Sequence, residues 1–271
     1  MVDSCLPLPP TVERFTGFAD VYDQYRPNPP EVLSKILAQM TGRQVPGLVI
    51  DLGCGTGLST RFWAERAVQV IGVDPSPDML ACASLRTHNP NVTYLFGYGH
   101  QVALTRGCAD IVTCSQALHW MDPELTLAEA ARLLRMGGVF AVYDHHASPV
   151  IPSWELEAAL QVFQKRTDAL ENELGIMAQV PRLPKHEHLS CMQASGYFRF
   201  TREFHLHHVE VGNADRLVGG VLSSGQIQSL FKAGVTENDL GLDVFREQAH
   251  RLLGDELRPW YLSVHVRIGV V

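Results

Sequence analysis

Val49-Ile50-Asp51-Leu52-Gly53-Cys54-Gly55-Thr56-Gly57 puts glycine at every second position directly after an apolar run that carries an acid. Residues 49–52 read as a short buried strand. The glycines let the backbone turn sharply and approach a ligand closely. Residues 59–67 read as the helix that follows, with Leu58, Phe62 and Trp63 turned inward. A strand, a glycine-rich turn and a helix N-terminus make a nucleotide-type pocket in α/β folds. A second acid, Asp74, ends the next apolar run at 68–73 and lies 21 positions after Gly53. That is close to the ~20-residue spacing of an acid that binds ribose hydroxyls. The dinucleotide pattern G-x-G-x-x-G fails: its last position falls on Leu58 or on Thr60.

Further pieces follow in a fixed order: Gly72-Val73-Asp74-Pro75-Ser76, Ala109-Asp110-Ile111-Val112, Gln116-Ala117-Leu118-His119-Trp120 and Leu133-Leu134-Arg135-Met136-Gly137-Gly138. With 51–57 they resemble the class I methyltransferases that use S-adenosylmethionine (SAM). Within these they are similar to the type-11 small-molecule group that includes trans-aconitate methyltransferase. The resemblance covers roughly residues 15 to 145. It implies an α/β, Rossmann-like, doubly wound sheet of seven strands with the last strand antiparallel. It also implies SAM as cofactor and S-adenosylhomocysteine (SAH) as product.

Outward from the glycine loop, Phe18, Val21, Tyr22 and Tyr25 recur at helical spacing until Arg26-Pro27 breaks the run. In the resembling family such a segment closes over the cofactor, which makes Tyr22 and Arg26 cofactor candidates. Plain packing of that helix onto the core is the competing reading. Residues 31–40 form an amphipathic helix through Val32, Leu33, Ile36, Leu37 and Met40. After Asp74, Ser76 caps the next helix and Pro77 suits its first turn. The resemblance puts Asp51, Gly53, Cys54, Gly55 and Gly57 under the methionine part of SAM and Asp74 on the ribose with Pro75 beside it. It puts Met79, Gly99, His100 and Gln101 around the adenine, and Ser115 and Gln116 beside the sulfonium. The sequence departs from the family at Gly99-His100, where an acid is usual.

The loop after a central strand faces the ligand crevice in a doubly wound sheet. His119 is therefore a candidate general base, a substrate contact or a structural hydrogen-bonding group. Trp120 is a candidate substrate contact. Asp144-His145-His146 closes the fifth strand, and neighbouring residues there point to opposite sides. His145 is a second candidate base and His146 an anion contact, with at most one of them facing the pocket. No metal is expected. Arg216 and Ser223-Ser224 are candidate contacts to a polar substrate.

The chain has 271 residues, 46% of them hydrophobic and 19% charged, which suits one globular domain spanning 1–271. Residues 147–196 and 212–236 read as helical insertions that cover the substrate. The net charge of −7 gives no support for a nucleic-acid partner. No apolar run approaches the ~18 residues of a membrane span, and residues 1–5 show no secretory pattern. Six cysteines without a C-x-x-C pair read as free thiols in a reducing cytoplasm. The expected protein is thus a cytoplasmic, small-molecule methyltransferase, a monomer or homodimer with no nucleic-acid or membrane partner. The alternative is a protein of the same fold that binds SAM but guides other chemistry, such as cyclisation, or regulates.

Overall fold

The computed structural model describes residues 9–145, 148–180 and 182–271. Seven strands build one sheet: β1 (Leu48–Leu52), β2 (Gln69–Asp74), β3 (Val92–Phe96), β4 (Ala109–Ser115), β5 (Leu134–His145), β6 (Phe200–Gly212) and β7 (Arg258–Val270). Their order is β3-β2-β1-β4-β5-β7-β6. Neighbours from β3 to β5 run parallel, and β7 runs antiparallel to both β5 and β6. The reversed last strand agrees with the expectation.

The central strands are buried on both faces, which is why β1 and β2 read as largely apolar runs rather than alternating ones, whereas the edge strands β3 and β6 are partly exposed. Among the described residues three helices precede β1: α1 (Pro10–Glu13), α2 (Ala19–Tyr25) and α3 (Glu31–Met40). Helix α4 (Leu58–Ala64) follows β1, α5 (Pro77–Arg86) follows β2, and α6 (Pro123–Leu133) follows β4. On one face Val49 packs with Leu33 and Leu37 of α3 and with Phe62 and Trp63 of α4. On the other, Ile50 and Leu52 join Leu127 and Leu133 of α6. Ser76 caps α5 by accepting from the Met79 backbone N–H at 3.3 Å, and Asp122 caps α6 through the Leu125 N–H at 2.9 Å.

The remaining helices are α7 (Trp154–Glu173), α8 (His188–Ala194), α9 (Ala214–Leu222), α10 (Gly225–Lys232), α11 (Glu237–Leu240) and α12 (Leu242–Leu253). Helices α7, α9, α10 and α12 share a second core with β7, built on Leu160, Phe163, Leu217, Ile227, Leu230, Phe245 and Trp260. This layer differs from the cover expected at 147–196 and 212–236 in two ways. Helix α8 serves the sheet: Met192 is fully buried in the core beside Phe140. Helix α12, outside the expected segments, joins this second core because Leu242, Phe245, Ala249 and Leu253 form one apolar stripe. Gly241, at φ +71°, ends α11 and separates it from α12. Among the described residues no helix is long and apolar enough to cross a membrane.

Helix α9 seats the N-terminal arm. A Cβ at Gly219 would overlap the Tyr25 ring of α2. Gly219→Val is therefore expected to destabilise the fold by about 1–3 kcal/mol through overpacking. Urea denaturation checks this, and an unchanged midpoint would show that α2 yields freely.

Candidate functional site

The glycine loop is tied to the end of β2. The Gly53 and Cys54 N–H groups donate to the Val73 carbonyl at 2.8 and 3.1 Å. The Gly55 N–H donates to Asp74 Oδ2 at 2.9 Å, and the Ser76 N–H to Asp74 Oδ1 at 2.8 Å. Burial pushes the Asp74 carboxyl up to about 6, against the pull of those two N–H groups. Gly55 has φ +52°, and the space a side chain would occupy there is open. The loop thus presents bare backbone to a cavity instead of filling it.

Ten of the expected cofactor residues line that loop-side cavity: Tyr22, Arg26, Gly53, Cys54, Gly55, Asp74, Pro75, Met79, Ser115 and Gln116. The other five do not. Asp51 is turned into the core, where it accepts from the Thr60 and Thr113 hydroxyls at 2.8 Å each. Its carboxyl is also pushed up to about 6, by burial. It fastens β1 to β4 and α4. Gly57, at φ +83°, packs against the Tyr94 hydroxyl. Gly99 is buried against Met121. His100 is exposed and stacks on Tyr98 with centroids 5.5 Å apart, and Gln101 is exposed as well. Met121, which lines the cavity, lies against Gly99.

The outer wall comes from the N-terminal arm through Thr11, Val12, Phe15, Tyr22 and Arg26. The arm is pinned on two sides. Arg14 is buried and pairs with Glu171 of α7 at 2.8 Å, and it donates to Ser229 of α10 at 3.0 Å. Lys232 donates to the Glu13 carbonyl at 2.7 Å. Toward the sheet, Gly17 N–H reaches Asp78 at 2.8 Å and Asp23 pairs with Arg61 at 2.5 Å.

A second cavity of about 320 Å³ lies under the cover helices. Arg26, Pro27, Gln116 and His145 line both cavities and mark where they meet. Gln116 sits in the left-handed region at φ +55°, where a non-glycine residue is strained. Its side-chain oxygen accepts from Lys185 Nζ at 2.9 Å. Burial, with Arg26 and His208 nearby, lowers His145 to about 4, so its imidazole is neutral at pH 7. Its Nδ1 and the Nε of Arg26 are buried with no hydrogen-bond partner among the described residues.

The other catalytic candidate, His119, lines neither cavity. It lies behind the wall in a short 3₁₀ turn, 4% exposed, with Nδ1 3.6 Å from Asp144 Oδ1. Burial first, then the Lys185 charge, lowers it to about 3. Its surroundings fit the structural reading. Asp144 is the hub: Arg267 lies at 3.0 Å, Lys185 at 3.1 Å and His188 at 3.4 Å. Burial alone would raise its carboxyl, but these neighbours hold it well below the usual carboxylate range.

Trp120 borders the loop-side cavity and not the second one, with the guanidinium groups of Arg14 and Arg182 5.3 and 5.1 Å from its ring centroid. Arg216 does line the cover-side cavity, but its guanidinium is committed to Glu210 and to the Val211 carbonyl. Ser224 lines it too, while the Ser223 carbonyl accepts from Arg26 at 2.9 Å. His146 lies outside the described residues. Lys185 and Asp144 escaped the sequence reading, because only the folded chain brings 144, 185 and 267 together.

Residues 50–142 match the family described as a methyltransferase domain. An uncharacterised methyltransferase of Mycobacterium tuberculosis is 38% identical over 125 residues, which cover 46% of this chain and 49% of that protein. A malonyl-[acyl-carrier protein] O-methyltransferase of Pectobacterium atrosepticum is 31% identical over 146 residues, 52% of this chain and 55% of that one. The chain thus spans about half the length of the curated relatives it matches. Among solved structures, a methyltransferase from Anaeromyxobacter dehalogenans superposes with a TM-score of 0.60 at 23% identity, over 91% of this chain and 98% of that one. A phosphoethanolamine N-methyltransferase of Haemonchus contortus, solved with SAH, gives 0.53 at 16% identity over 98% and 61%. These two share the fold.

Proposed function

We propose that the chain moves a methyl group from SAM to a small-molecule acceptor, a reading supported by the match of residues 50–142 to a methyltransferase domain. The observation that carries this reading is the meeting of two cavities at Arg26, Gln116 and His145. One is built like a nucleotide pocket and the other is enclosed by helices. SAM supplies an activated methyl carbon, and the protein's part is to hold the two reactants close and in line, which contributes up to ~7–11 kcal/mol in well-oriented systems.

The residues present suit SAM. Gly55 leaves open space beside the loop, the Asp74 carboxylate faces that space, and the buried Thr56 hydroxyl on the same wall has no partner among the described residues. In this reading Asp74 accepts from the ribose hydroxyls, Gly53 to Gly55 underlie the methionine part, and Met79 flanks the adenine. Ser115 and Gln116 lie beside the sulfonium. Tyr22 and Arg26 close the arm over the cofactor. His145 is the group placed to accept a proton if the acceptor must lose one.

Calorimetric titration with SAM and SAH, followed by a search for SAH release with small acceptors, tests the proposal. Folded protein that binds neither would refute it, and binding without any SAH release would favour the non-methylating alternative. Asp74 adds a pH signature. Its carboxyl titrates near 6 in the free protein, and only the ionised form accepts from two hydroxyls without offering a proton of its own. SAM affinity is therefore expected to be full above about pH 7 and to fall as pH drops through 6. Titrations at several pH values check this, and Asp74→Asn should flatten the profile.

A further inference from the structure

Lys185 reaches the junction of the two cavities from a segment that is fixed to the loop after β4. The Leu183 N–H donates to the His119 carbonyl at 3.0 Å, and the Arg182 guanidinium lies 5.1 Å from the Trp120 ring centroid. Behind Lys185, its Nζ lies 3.1 Å from Asp144 Oδ1, and Arg267 holds Asp144 at 3.0 Å. In front, Nζ donates to the Gln116 side-chain oxygen at 2.9 Å. Gln116 is constrained as well: its backbone sits at φ +55°, and its N–H donates to the Tyr143 carbonyl at 3.0 Å. An ammonium has donors only, so the Gln116 amide must turn its oxygen to Lys185. Its NH2 group has no partner among the described residues and is what remains for the junction, because Gln116 lines both cavities. Of the other residues that line both, Arg26 offers donors only, Pro27 has no polar side-chain atom, and His145 alone has a lone pair to give. The Asp144 carboxylate lines neither cavity.

We propose that Lys185 is a positioning residue: it withdraws the Gln116 amide oxygen from the junction and leaves the amide donors there, which disfavours the sulfonium of SAM relative to the neutral thioether of SAH. This rests on the methyl-transfer reading above, in which Gln116 lies beside the sulfonium. An amide oxygen turned toward a cation stabilises it, and an amide NH2 turned toward it does the reverse. The reactant is therefore bound with a mismatch that the product lacks. The mismatch disappears once the acceptor's lone pair has taken the methyl carbon and the C–S electron pair has stayed on a neutral sulfur. The cost thus falls on the ground state and is relieved as the positive charge leaves the sulfur. Asp144 and Arg267 complete the device, because they keep Nζ in place when Gln116 is pulled toward the cation.

The test needs no acceptor. The full chain and its variants are titrated calorimetrically with SAM and, separately, with SAH, and the ratio of the two affinities is read. Lys185→Met frees the Gln116 amide to turn its oxygen to the sulfonium, so the ratio should shift toward SAM by about fivefold. Lys185→Arg, also a donor-only cation, should keep the parent ratio. Gln116→Met removes the donors and should shift the ratio the same way. Adding Lys185→Met to Gln116→Met should then change the ratio less than twofold, since Lys185 acts through the amide. If Lys185→Met does not fold, Gln116→Met alone decides, and an unchanged ratio in it overturns the proposal. Equal weakening of both ligands in Lys185→Met would show a merely structural lysine and overturn it too. A shift that persists in the Gln116→Met background would assign the effect to the lysine charge itself and likewise overturn the positioning role, with methyl transfer left standing. Folded parent protein that binds neither ligand would bring down the underlying reading instead.

Discussion

Asp74→Ala is expected to weaken SAM binding about 100-fold, the largest effect of any single change on the cofactor side. A hydrogen bond to an ionised group contributes about 1.5–3 kcal/mol, and two to the ribose would be lost. A factor of 100 corresponds to about 2.7 kcal/mol. The substitution also removes the acceptor for the Gly55 and Ser76 N–H groups at 2.9 and 2.8 Å. The glycine loop would lose one of its ties to β2, the bond from Gly55, so the effect includes lost preorganisation as well as lost contacts. Isothermal titration of the variant with SAM and SAH measures it, with circular dichroism to confirm the fold. An affinity within threefold of the parent would remove Asp74 from the ribose.

Asp144→Ala is expected to destabilise the fold by about 3–5 kcal/mol, because breaking a buried ion pair from one side leaves an uncompensated buried charge. That charge is Arg267, 3% exposed. Its guanidinium lies 3.0 Å from Asp144, and Lys185 loses its carboxylate too. The double change Asp144→Ala with Arg267→Leu should recover part of the loss, and urea denaturation of the three variants gives the coupling directly. A single-variant loss below about 1 kcal/mol would mean that water screens the site. The pH dependence has a definite sign. The folded carboxyl titrates below its unfolded value of about 3.9, so its contribution is complete above that value and disappears as pH falls toward the folded one.

The sheet was legible because its signals are local. Apolar runs of strand length, glycines at a turn and capping residues such as Ser76 and Asp122 all act over a few positions, and the resemblance supplied the number of strands and the reversed last one. The loop-side wall was legible for the same reason: Gly53, Cys54, Gly55, Asp74 and Pro75 follow directly from strand ends. The adenine side was not. Gly99, His100 and Gln101 stand at the expected sequence position but do not line the cavity, and Met121, about twenty residues on, lies against Gly99 and lines it instead. His119 drew attention as a histidine in a loop after a central strand, yet a single 3₁₀ turn carries it behind the wall beside Asp144. The junction is the least local part of the site. Arg26, Gln116, His145 and Lys185 come from four segments with no spacing rule between them, and the ion network behind Lys185 joins β5 to β7 across 123 positions. Only the antiparallel pairing of β7 with β5 determines that encounter.

The N-terminal arm has a kinetic consequence. It forms the outer wall of the loop-side cavity and is fastened at Arg14, Gly17, Asp23 and through Lys232. An enclosed molecule exchanges no faster than its cover opens. The spent cofactor would therefore leave at the rate at which these ties come apart together, a rate set by the arm and indifferent to which acceptor has just been methylated. Under that regime different acceptors share one ceiling on turnover, and they are told apart by how efficiently each is captured at low concentration.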